Sequence, residues 1–170
     1  SQRIKTAEQR CSYFRGVELF NDNKSAEAIE LFNAAVKEPP DATISALALY
    51  WKAEAQYRQN NFEGAIKTYS DFIYTPQAVT LSLYNIANYN LGYCFFKKED
   101  YTNSLVWFRK YIREKTPGDE ARYSDALLRI ADGFFVQKDY YNAVEYYDKA
   151  VGEKAKATDY ACFQKGVIEG

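Results

Sequence analysis

The residues able to do chemistry in this chain are few, and their types are one-sided. The 170 residues include no histidine, which removes imidazole bases, imidazole-assisted nucleophiles and imidazole metal ligands together. Cys11, Cys94 and Cys162 could be nucleophiles or ligands. A nucleophilic thiol wants a base, and these thiols lie 83 and 68 residues apart, without the close spacing of a metal site. An odd count leaves at least one unpaired within the chain. All three have apolar neighbours and read as buried structural thiols. The carboxylate pairs Glu99-Asp100 and Asp119-Glu120 could serve acid–base catalysis. They fall at turns and helix starts, where negative charge complements the helix dipole. Lys97-Lys98 and Lys154/Lys156 are too sparse to track phosphates, and no glycine-rich phosphate loop, strand–helix nucleotide motif or calcium loop occurs. Tyrosine is what abounds, 16 in all, and its half-polar ring suits helix seams and wet binding faces. We therefore expect no catalysis, no cofactor and no metal.

The elements that position these side chains follow from a recurring unit. A small residue is followed twelve positions later by another small residue, and four later by an aromatic. The four sets are Gly16/Ala28/Phe32, Ala53/Ala65/Tyr69, Gly92/Ser104/Phe108 and Ala131/Ala143/Tyr147, advancing by 37, 39 and 39 residues. A fixed period in this range marks a repeat array. Each unit reads as two helices. In the third, Ala87, Leu91, Phe95 and Phe96 recur at helical spacing, and the pattern breaks at Lys97–Asp100. Leu105, Phe108, Tyr111 and Ile112 then form a second stripe, ended by Thr116-Pro117-Gly118. Turns are expected at Asn21–Asn23, Asn60-Asn61, Glu99-Asp100 and Lys138-Asp139, with Asn61, Asp100 and Asp139 capping the second helices. Pro39-Pro40, Pro76 and Pro117 close the first three units. The small residues let paired helices approach, and the aromatic can fill the space against the next unit.

Leu91-Gly92-x-x-Phe95, Ser104-x-x-x-Phe108 and Pro117 resemble the tetratricopeptide repeat. Ile130-Ala131-x-x-Phe134 with Ala143-x-x-x-Tyr147 is similar, and the sets at Gly16 and Ala53 are looser matches. The resemblance implies an all-α fold, a right-handed α-solenoid of antiparallel helix pairs. We expect a single repeat domain over residues 1–170, with units at about 8–41, 42–77, 78–117 and 118–155 and a lone helix of a truncated fifth unit at 156–170. The family's period is about 34 residues, so the extra residues here are expected to lengthen the start of each first helix. Phrases such as Tyr123–Ala131 and Lys138–Ala143 are similar to bacterial envelope-associated members, the Tol-Pal-associated and outer-membrane-assembly lipoprotein groups. That implies a periplasmic or outer-membrane-associated setting.

In this family the first helices line a concave groove that takes an extended or helical peptide. Carried onto this sequence, the groove positions give Tyr13, Tyr50, Tyr89, Leu128 and Phe163, then Val17, Glu54, Tyr93 and Asp132, then Phe20/Asn21, Tyr57/Arg58, Phe96/Lys97 and Phe135/Val136. The expected binding residues are Tyr13, Tyr50, Glu54, Tyr57, Arg58, Tyr89, Tyr93, Lys97 and Asp132. The competing reading is that many of these rings pack between neighbouring first helices. Chaperone-binding members clamp a carboxylate with Lys, Asn and Arg, but the matching positions here are Tyr13, Val17, Trp51, Ile86 and Asn90, and only Asn90 fits.

The function expected is a non-catalytic scaffold for a protein or peptide client. The alternatives are a structural spacer within a longer envelope protein and an RNA-reading helical repeat. Lys+Arg of 22 against Asp+Glu of 23 gives a net charge of −1 and no electrostatic case for nucleic acid or anionic membrane. No apolar run is long enough to span a bilayer. The chain starts at Ser1 and lacks Met, so it reads as an excised or processed piece. Phe163, Val167 and Ile168 on a last helix without its partner suggest fraying or a homo-oligomeric contact.

Overall fold

The computed structural model describes residues 1–37, 41–153 and 164–168. The helices follow in order: α1 Gln2–Asn21, α2 Ser25–Lys37, α3 Ala42–Arg58, α4 Phe62–Ile73, the 3-10 turn Pro76–Thr80, α5 Leu83–Lys97, α6 Tyr101–Ile112, α7 Glu120–Val136 and α8 Tyr140–Gly152. No strand occurs among the described residues. Pro39-Pro40, Cys162 and Phe163 lie outside them, as does most of the expected lone helix, of which 164–168 are helical.

The turns inside each helix pair are one device used four times. Asn23, Asn60, Glu99 and Lys138 adopt φ near +60° (61, 58, 59 and 62°). Each reverses the chain so that the next amide reaches back to the preceding helix. Lys24, Asn61, Asp100 and Asp139 donate to the carbonyls of Leu19, Gln56, Phe95 and Phe134 at 2.8–3.0 Å. Three second helices then start on a side-chain cap. Asn61 accepts from the Gly64 amide, Asp100 from Asn103 and Asp139 from Asn142. Asp41 caps α3 in the same way, accepting from Thr43 and Ile44.

The extra residues do not lengthen every first helix. α3 and α7 run 17 residues but α5 only 15. Before α5 the additional chain forms the 3-10 turn, opened by Pro76, whose predecessor Thr75 is held extended at ψ 127° as the residue before proline must be.

The chain divides into two compact units, Ser1–Ala87 and Asn88–Gly170. In the first, α1 packs on α2, α2 on α3 and α3 on α4, around Tyr13, Leu19, Phe20, Phe32 and the buried alanines 28, 35, 48 and 55. Gln9, a polar residue buried in this core, ties three elements. Its amide nitrogen donates to the carbonyls of Ala35 (3.0 Å) and Asp41 (3.1 Å) and to Ser45 Oγ (2.9 Å), while its oxygen accepts from the Asp41 amide (3.0 Å). In the second unit Leu105, Phe108, Tyr111, Leu127, Leu128, Ile130, Phe134 and Tyr147 form the core. Ile168 packs against it and Lys165 pairs with Asp148 at 2.8 Å.

One expectation gains a detail and another needs correction. In the first and third units the aromatic lies on the small residue of its own pair, while Phe32 and Phe108 also share their core clusters with residues of the following helix. A Cβ on Gly16 would stand 2.7 Å from the Phe32 ring, and one on Gly92 2.7 Å from that of Phe108. The glycine is small because a ring, rather than a second helix backbone, occupies the space above it. And Cys11 is exposed, unlike Cys94, which is buried, because its position on α1 turns away from the face that packs on α2.

Candidate partner-binding faces on the first helices

The rings expected to line a groove divide by burial. In the first unit Tyr13 is 8% and Tyr50 5% exposed. Tyr50 stands edge-on to Trp51, Tyr69 and Phe72 with centroids 5.4–5.9 Å apart, so it packs α3 against α4. Burial pushes the Tyr13 hydroxyl up. Glu54 accepts a short hydrogen bond from the Tyr69 hydroxyl. Arg58 lies flat over the Phe20 ring, 3.5 Å from its centroid, and donates to the Phe20 carbonyl at 2.6 Å. This cation ties the end of α3 to the end of α1. Tyr57 is half-buried, edge-on to Phe62 at 5.4 Å.

In the second unit the half-buried Tyr89 and Tyr93 lie 5.1 Å apart on α5, and both hydroxyls donate to one carboxylate oxygen of Asp125 on α7, Tyr89 at 2.8 Å. Burial raises both hydroxyls well above the usual phenol range, and the Asp125 charge and hydrogen bonds hold their protons further. Arg129 pairs with Asp125 at 3.6 Å and Asp132 at 2.7 Å, over the face of Phe96. Asp132, only 8% exposed, accepts from the Tyr147 hydroxyl at 2.7 Å. Lys97 is exposed at the end of α5.

The expected site residues therefore differ in access. Tyr13, Tyr50 and Asp132 are buried. Glu54 and Arg58 make contacts between helices and keep accessible surface, as do Tyr57, Tyr89, Tyr93 and Lys97. Sequence reasoning passed over Asp125 and Arg129. The available signal was two tyrosines one helical turn apart on an apolar stripe, since half-buried phenols call for an acceptor on a neighbouring helix.

Among the described residues no group of three His, Cys, Asp or Glu could hold a metal ion, and no helix is long and apolar enough to cross a membrane.

The comparisons with known proteins agree on the architecture. Tetratricopeptide repeat family models match residues 13–78 and 77–120, and a second such model matches 125–153. No curated protein sequence matches the chain. Among solved structures it is similar to MamA, with 22% identity over 89% of this chain and 81% of that one and a TM-score of 0.72. It is also similar to the N-terminal domain of stress-induced protein-1 from C. elegans (19% identity, 76% and 98% covered, TM-score 0.64). BtubC from P. vanneervenii gives 16% identity, 88% and 64% covered, and a TM-score of 0.74. At these identities the likeness is one of fold. With family models covering more than half of its length, the chain belongs to the tetratricopeptide repeat family, an all-α fold of the helix-pair solenoid class.

Proposed function

We propose that this protein is a non-catalytic scaffold that holds a segment of a partner protein, extended or helical, against its first helices. The observation that carries this reading is the pair Tyr89 and Tyr93. Their rings are half-buried, they are fixed by a shared carboxylate, and exposed Lys97 stands beside them. Rings held in place lose little entropy on binding, and half-polar rings stack on a peptide without stripping every polar group of water. In the first unit Tyr57 offers a similar ring, while Tyr13, Tyr50, Glu54 and Arg58 support its face from within. Asp132 supports the second in the same way.

The test is direct. A partner recovered on the immobilised protein is titrated against the parent, Tyr93→Ala and Lys97→Ala. Losing an anchoring ring should cost about 2 kcal/mol of binding. Unchanged affinity in both variants, with loss in Lys67→Ala on the outside of α4, would place the contact on the second helices.

The long repeat period supports an envelope-associated member of the family, which cell fractionation of the native protein tests. Val167, exposed near the end of the described chain, is the residue through which a second copy would dock. Sedimentation of Val167→Glu against the parent reads that contact, and identical monomeric behaviour removes it.

A further inference from the structure

The outer face of α6 carries a row of three cations. Arg109, Lys110 and Arg113 follow one another along one side of this helix, opposite the buried Ser104, Leu105, Phe108 and Tyr111. Each pairs with no carboxylate among the described residues, whereas Lys115 and Lys149 nearby are paired to Glu153 at 2.5 Å and Glu145 at 2.6 Å. Aromatic groups hold two of the three in place. Lys110 stands 4.8 Å from the Trp107 ring centroid. Arg109 lies 5.2 Å from that of Phe134 and donates to the Tyr146 hydroxyl at 3.3 Å. Val106, 57% exposed, adjoins them one turn earlier. Three like charges within two turns repel one another, and in a chain of net charge −1 nothing global asks for them.

We infer that this α6 face is a second docking surface, for an acidic amphipathic segment of a partner protein. Such a segment would set carboxylates on Arg109, Lys110 and Arg113 and an apolar residue on Val106 and the Trp107 edge. Charge complementarity selects the occupant. The patch is also too short for nucleic acid, whose affinity grows with the number of phosphates neutralised, and three cations over about 6 Å of helix give no track to follow. The inference goes beyond the first-helix face and does not depend on it.

The experiment uses the whole chain and three probes: a synthetic helical peptide alternating Glu and Leu at i, i+3 and i+4, the same peptide with Lys for Glu, and a single-stranded RNA. Binding is followed by fluorescence anisotropy at several salt concentrations. The acidic peptide should bind, weaken as salt rises, and lose roughly tenfold in affinity to R109Q/K110Q/R113Q, since each exposed ion pair is worth a few-fold. Tyr93→Ala should bind it like the parent, which separates this surface from the first-helix face. Arg109 and Arg113 are exposed and Lys110 is half-buried, and glutamine retains much of each stem, so the triple variant should keep the parent's helical spectrum. If it unfolds, single Lys110→Gln and Arg113→Gln variants carry the test. Absence of acidic-peptide binding, equal binding by the neutralised variants, or tighter binding of the RNA or the Lys peptide would each overturn the inference.

Discussion

Asp132 on α7 receives the hydroxyl of Tyr147, fifteen residues later on α8, at 2.7 Å. Glu54 and Tyr69 stand in the same fifteen-residue relationship with the same hydrogen bond. In the other two units the corresponding pairs are Val17 with Phe32 and Tyr93 with Phe108, and Tyr93 meets its ring edge-on at 5.2 Å. The position after the small residue thus matches the aromatic of the second helix. A carboxylate stands where the ring has a hydroxyl to satisfy, and an apolar or aromatic group where it has none. Buried phenols need acceptors, so residues at groove offsets also serve the inside of the pair.

This matching predicts a thermodynamic cycle. Asp132→Val should destabilise by about 1–3 kcal/mol, because it removes an acceptor from the buried Tyr147 hydroxyl and an ion-pair partner from Arg129. Tyr147→Phe should cost about 1 kcal/mol. The double variant, which copies Val17/Phe32, should recover part of the loss. Urea unfolding of the four proteins measures the coupling, and strict additivity would show the pair to be incidental.

Glycine positions should differ in tolerance. Gly92→Ala drives a Cβ to 2.7 Å of the Phe108 ring and should cost about 1–3 kcal/mol by overpacking. Gly133→Ala meets Leu105 at an ordinary 3.4 Å and should be neutral or stabilising by up to about 1 kcal/mol through helix propensity. The Gly92→Ala melt should fall, while that of Gly133→Ala should hold or rise.

The four left-handed turn residues should respond to glycine unequally. At Lys138 (φ 62°) and Glu99 (φ 59°) a side chain with a Cβ costs about 1–2 kcal/mol in this conformation. Lys138→Gly and Glu99→Gly should raise the melting temperature, with part of the gain lost to unfolded-chain entropy. Asn23 and Asn60 already tolerate the region, so their glycine variants should move little. An unchanged melt for Lys138→Gly would count against this.

Alkali should unfold the second unit early. The Tyr89 and Tyr93 hydroxyls, and that of Tyr111 bonded to Asp119 at 2.6 Å, titrate above the ordinary phenol value in the fold, chiefly through burial. Above about pH 10 the unfolded chain releases protons that the native state retains. The native state then binds more protons, so stability falls as pH rises. Denaturant midpoints measured from neutral pH upward should decline from that point, and the decline should be shallower in Tyr89→Phe. A flat profile would contradict the assignment.

The sequence by itself determined the repeats and their turns. Small residues twelve apart, an aromatic four further on, and Asn or Asp before each second helix from the second unit onward are local signals, because capping and chain reversal are decided within a few residues. Those turns and caps stand where the pattern puts them. Tertiary structure decided which side chains remained free. A groove offset names a direction on a helix. Whether Tyr50 becomes core, Glu54 answers Tyr69, Arg58 stacks on Phe20 or Asp125 gathers two hydroxyls depends on which ring or carboxylate a neighbouring helix brings into reach. Those partners lie 15 to 38 residues away in sequence. The physical reason is that burial cost is settled pairwise in space: a phenol or a guanidinium is stable inside only if its partner arrives with it.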